Sequence, residues 1–113
     1  MKLTNRQKWL RTIAWLKNAF PAQRPVSVAS CKIDKELLGS VELVGCCFKV
    51  EIGNTLSLNM RLEILIHEWA HVISWFGAGH EEDHPDDWGL AYAKIYREFI
   101  EWDFGRTECA TRS

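Results

Sequence analysis

The feature that most constrains the fold is a nearly continuous apolar run late in the chain. Leu62, Ile64, Leu65, Ile66, Trp69, Ala70, Val72, Ile73, Trp75 and Phe76 are broken by His67, Glu68 and His71. A helix carrying this run is apolar nearly all round, so it belongs inside the molecule with the remaining elements packed around it. Asn59 is a good N-cap for that helix, and Gly77 and Gly79 lie beyond its expected end at about residue 76. The apolar stretch, residues 64–76, is too short to span a bilayer. Burying a carboxylate and two imidazoles without partners costs roughly 2–7 kcal/mol for each group, so these three residues need a reason to be where they are.

The segments on either side supply the packing partners. Thr4 followed by Gln7 forms a capping-box signature, and Trp9, Ile13, Leu16 and Phe20 recur at helical spacing until Pro21, which predicts a helix over residues 5–19. Residues 26–31 and 48–52 are rich in β-formers and are bounded by Gly39, Gly45 and Gly53-Asn54, so two or three short strands are expected. After a polar loop over residues 77–87, Asp86 or Asp87 can cap a last helix over about 88–102, with Trp88, Tyr92, Ile95, Phe99 and Trp102 on one face. Residues 105–113 read as frayed. The expected class is α+β, with an N-terminal helix, a small sheet, the central helix and a C-terminal helix.

Length and composition fit this scale. The chain has 113 residues, of which 47% are hydrophobic, enough for one modest core, so residues 1–113 are expected to form a single domain. A net charge of −1 with both signs interspersed offers no basic face for nucleic acid or a membrane surface. Cys31, Cys46, Cys47 and Cys109 show no paired C-x-x-C spacing and read as reduced thiols, with at least one of the adjacent pair buried by strand alternation. No export signal is visible at the N-terminus, so a cytoplasmic protein is expected. The six tryptophans fall mostly on apolar helix faces and read as packing.

The three polar residues of the central helix carry a chemistry. Residues four apart share a helix face, so His67 and His71 can direct their imidazoles at one ion, while Glu68 is placed to reach a water on that ion. This is the H-E-x-x-H arrangement of zinc peptidases, with Glu68 as general base. Chance alone would produce it about once in a hundred such chains. A catalytic zinc ordinarily takes a third protein ligand. The extended motif with a glycine and a third histidine is absent, since Ser74 and Gly77 stand at those positions. Candidates are His80, Glu81, Glu82, Asp83, His84, Asp86 and Asp87, with His84 the first choice and His80 the second. The acidic members of that loop are also candidates for a carboxylate behind a ligating histidine.

From residue 48 to residue 102 the sequence resembles the SprT-like zinc metallopeptidases, and among them a group of small phage-encoded proteins. The resemblance runs through a strand, the helix bearing Leu65-Ile66-His67-Glu68-Trp69-Ala70-His71, a variable loop, and then His84-Pro85-Asp86-Asp87-Trp88-Gly89 leading into Ala91-Tyr92-Ala93-Lys94-Ile95-Tyr96-Arg97. In that family a loop histidine shortly before an aromatic residue that opens the next helix is the third ligand, and His84 with Trp88 matches this pattern. The resemblance implies a minimal zincin-like core in which an extended substrate pairs with an edge strand, here residues 48–52. If the chain is phage-encoded, its compartment is the host cytoplasm. The resemblance reaches the catalytic module only, and repair of protein–DNA crosslinks is not carried over.

The expectation is therefore a zinc-dependent metallopeptidase acting on protein or peptide. Zn²⁺ would be held by His67, His71 and His84, Glu68 would be the base, and Tyr92, Tyr96, Arg97 or His80 would be candidates for oxyanion or substrate contacts. The alternative is a non-catalytic, zinc-stabilised protein-binding module, whose signature would be a fourth protein ligand closing the site.

Overall fold

The structure is a computed structural model that describes residues 2–33, 38–75 and 85–112, with side chains from 88 to 103 in the last segment. Its elements in chain order are α1 (Asn5–Ala19), β1 (Val26–Cys31), β2 (Gly39–Val44), β3 (Cys47–Gly53), α2 (Leu58–Ile73) and α3 (Pro85–Arg112). Three helices and a three-stranded mixed sheet make a small α+β domain.

Local chemistry sets most boundaries. At α1 the capping box forms in full: Gln7 N–H donates to Thr4 Oγ1 at 3.1 Å, and Thr4 N–H donates to Gln7 Oε1 at 2.8 Å. The helix buries Trp9, Thr12 and Leu16, and Phe20 folds in just beyond its end. Helix α2 begins earlier than an Asn59 cap would place it. Ser57 is the N-cap, its hydroxyl accepting from Met60 N–H, and Asn59 lies exposed inside the first turn. It ends at Ile73, where Ser74 donates its hydroxyl to Ala70 O at 2.7 Å; Phe76 lies outside the described residues.

The sheet order is β1-β3-β2, with β1 parallel and β2 antiparallel to β3. Residues 48–52 are thus at the centre of the sheet and not at its edge. The reason is burial: Phe48, Val50 and Ile52 are 3%, 0% and 0% exposed, and the middle position gives this most apolar strand face the fullest cover. Lys49 points to the opposite, open face. Val44 pairs with Cys47, so Gly45 and Cys46 form a two-residue hairpin turn, with Gly45 at φ +63° supplying the left-handed residue it needs. Cys46 is therefore a turn residue, strand alternation does not govern it, and neither it nor half-buried Cys47 is buried; their Sγ atoms lie 3.9 Å apart.

Helix α2 is the centre of the molecule. Leu65, Ile66, Trp69 and Ala70 are fully buried, and α2 packs against α1, β2, β3 and α3. Trp69 Nε1–H donates to Phe20 O at 2.9 Å, tying α2 to the end of α1. Gly39 of β2 passes so close to α2 that a Cβ there would meet Ile64 Cγ2 at 2.6 Å. Helix α3 is longer than residues 88–102. It starts at Pro85, a favoured first helical position because the missing N–H is not needed there, and its backbone stays helical past Gly105 to Arg112, where fraying was expected.

Candidate metal centre

The site is built on one turn of α2. His67, Glu68 and His71 bring one donor atom each to within 4.8 Å of one another. The helix alone arranges this, because i and i+4 side chains overlie one another and Glu68 is a neighbour of the first histidine. Exposure differs sharply within the group. Glu68 is 7% exposed, whereas the His67 side chain is 45% exposed and His71 is half-buried. The cost of burial thus falls on the carboxylate, and the histidines open toward solvent, where an ion can reach them.

The electrostatics follow from this geometry. Burial pushes the Glu68 carboxyl up to about 7, since a low-dielectric setting disfavours its charge. Burial also lowers the His67 imidazole below its ordinary value, so the ring is neutral at pH 7 with a lone pair free to bind a metal. His67 Nε2 and Glu68 Oε1 are 3.9 Å apart, too long for a hydrogen bond. With both charges disfavoured, they are near neighbours and not a formed ion pair. Two imidazoles and a carboxylate suit Zn²⁺, and they suit other divalent transition ions as well. The donor set fits a metal without specifying which one.

Helix α3 closes one side of the site with aromatic rings. The Trp88 ring stacks on His71 at 5.4 Å and 28°, and meets His67 at 4.8 Å and 63°. Its Nε1–H donates to the His67 carbonyl at 3.3 Å. Tyr92 stacks on Trp88 at 5.1 Å and 6°, and its ring lies 6.0 Å from His67. The Tyr96 hydroxyl is engaged elsewhere. It donates to Glu63 Oε1 at 3.2 Å, and that contact raises the Tyr96 pKa. Arg97 is exposed.

Sequence reasoning placed His67, Glu68 and His71 together, and the structure brings Tyr92 beside them. His80 and His84 lie outside the described residues, as do Glu81, Glu82 and Asp83 and the side chains of Asp86 and Asp87. Trp88 was read as packing, and it does pack against the core while also touching both histidines. The available signal was the i, i+4 spacing of Trp88 and Tyr92 on the apolar stripe of the last helix, which had to face some part of α2. No protein-family model, curated protein or solved structure matches this chain.

Proposed function

We propose that the chain is a zinc-dependent peptidase of minimal zincin-like architecture, resembling the SprT-like family, with Glu68 as general base. The observation that carries this reading is the meeting of His67, Glu68 and His71 donor atoms within 4.8 Å on a helix that buries Leu65, Ile66, Trp69, Ala70 and Val72 beside them. The face of α2 that Glu68 occupies is buried, unlike the exposed position of Glu63 on the same helix, and a carboxylate held there at 7% exposure is explained by the work it does. His67 and His71 would hold the ion, and His84, four residues before Trp88 in sequence, is our choice of third ligand. Bound zinc supplies a Lewis acid that lowers the pKa of coordinated water to about 7 and polarises a carbonyl.

The chain's own residues do the rest. Glu68 takes a proton from the attacking water and returns it to the departing amine. Its burial keeps bulk water from competing for that proton. Tyr92, beside His67, is better placed than Tyr96 to donate to a developing oxyanion, because the Tyr96 hydroxyl is committed to Glu63. The strand edge that lies against α2 is β2, with Gly39 packed on Ile64 one turn before Glu68. An extended peptide pairing with β2 would run beside the motif, and backbone pairing favours peptide over other substrates.

The test is Glu68→Gln in a peptide-hydrolysis assay with elemental analysis alongside. The expected result is loss of hydrolysis with zinc retained near one per chain. Hydrolysis at the wild-type rate by this variant overturns the reading. Zinc binding by a wild-type protein that cleaves no peptide would leave a zinc-stabilised binding module instead.

A further inference from the structure

We propose that Trp88 is a positioning residue of this site, an indole on α3 that holds His67 and His71 in the orientation in which both face one divalent ion. The inference rests on the metal-site reading above and adds to it the group that sets the ligands before any metal arrives.

The contacts are specific to the two ligands. Trp88 stacks on the face of the His71 ring, at 5.4 Å and 28°. A metal binds in the plane of an imidazole, at a ring nitrogen, so stacking on the ring face restricts rotation without occupying the coordination direction. The same indole meets His67 at 4.8 Å and 63°, and its N–H reaches the His67 backbone carbonyl at 3.3 Å. One side chain thus touches both imidazoles and the backbone of one of them.

Trp88 is itself braced. Tyr92 stacks behind it at 5.1 Å, Tyr96 follows at 5.7 Å, and the Tyr96 hydroxyl ties the column back to α2 through Glu63, one turn before His67. This column spaces its rings by one helical turn each, so α3 as a whole, and not a single rotamer, fixes the indole. Two half-exposed imidazoles on a bare helix would sample several rotamers, and metal binding would have to select one. Braced imidazoles lose less freedom on binding, and loss of the groups that orient metal ligands ordinarily costs about 10–100-fold in metal affinity.

The experiment titrates the full chain with Co²⁺, followed by its visible absorption, for wild type, Trp88→Leu and Trp88→Phe, with metal-free thermal unfolding of each measured in parallel. Trp88→Leu should weaken Co²⁺ binding by about 10–100-fold. Trp88→Phe keeps a stackable ring and should recover most of that loss. In metal-free wild type the His71 ring-proton resonances should lie upfield from the indole ring current, and Trp88→Leu should relax them. Wild-type Co²⁺ affinity in Trp88→Leu overturns the proposal, as does a Trp88→Phe variant no better than Trp88→Leu. If Trp88→Leu does not fold, the wild-type resonances decide: unshifted His71 protons overturn the proposal and upfield ones support it. Failure of the underlying reading looks different, since His67→Ala and His71→Ala would then bind Co²⁺ as wild type does.

Discussion

Glu68 is the residue where stability and chemistry meet. Its carboxyl sits at about 7 in the metal-free fold against an ordinary value of 4.5, so between those pH values the folded state binds more protons than the unfolded chain. The contribution of Glu68 to metal-free stability therefore falls as pH rises from about 4.5 to about 7 and levels off above, while the lowered His67 imidazole works in the opposite direction and adds stability as pH rises. Glu68→Gln removes the titration. The difference in unfolding free energy between wild type and Glu68→Gln, measured by urea denaturation in chelator at several pH values, should decline across that window. A difference independent of pH would contradict the burial of this carboxyl. The identity of the group was plain from the H-E-x-x-H spacing, but its environment was not. Sequence reasoning distributed the burial cost over three polar residues, and the structure concentrates it on one, because helix α2 turns Glu68 toward the core and the histidines toward α3 and solvent.

At the scale of elements, α2 is the post on which the others hang, and two contacts show how. Trp69 is fully buried and donates to the Phe20 carbonyl, so Trp69→Ala should cost about 3–5 kcal/mol. Trp69→Phe should cost about 1–3 kcal/mol, since most of the ring volume remains but a buried carbonyl loses its donor. Chemical denaturation checks both, and a loss below about 1 kcal/mol for Trp69→Ala would contradict the central place of α2. Gly39 is the second contact. A methyl group there would press on Ile64 Cγ2 at 2.6 Å and on the Glu51 backbone oxygen at 3.3 Å, so Gly39→Ala should destabilise by about 1–3 kcal/mol. In the peptidase assay it should also reduce hydrolysis, because Ile64 sits one turn before Glu68. Helix α1 was legible to the residue, since a capping box and a proline mark its ends chemically. The sheet was legible as strands but not as an order: nothing in the Phe48-to-Ile52 pattern says whether a strand has one neighbour or two. The beginning of α2 was misplaced by two good capping residues standing close together, of which Ser57, not Asn59, takes the extended cap conformation at ψ 161°.

At the scale of the molecule, the domain is 50 × 28 × 23 Å with a radius of gyration of 14.6 Å, somewhat above the roughly 13 Å expected for a compact chain of this length. The 28 residues of α3, about 42 Å of helix, account for the long axis. Among the described residues no helix is long and apolar enough to cross a membrane. A domain this size has a modest core, so a bound ion should register in its global stability. Zinc at about a hundred times its dissociation constant should add about 2.7 kcal/mol, raising the unfolding midpoint by roughly 10 °C, and a chelator should reverse the shift. Calorimetry with and without chelator reads this directly, and an unchanged midpoint would contradict a native metal site. With a net charge of −1 the chain should not retard duplex DNA at about 50 mM salt in an electrophoretic assay. What the sequence by itself determined is local and periodic: the helix at α1, the apolar helix that must be central, and the four-residue spacing that sets two histidines over one another with a glutamate beside them. Tertiary structure alone decided that β2 and not β3 borders the sheet beside α2, that Glu68 is the buried member of the motif, and that Trp88 lies against both histidines. The spacing of residues along a helix fixes which side chains share a face, whereas the neighbour each face meets depends on packing between elements distant in the chain, which no local pattern encodes.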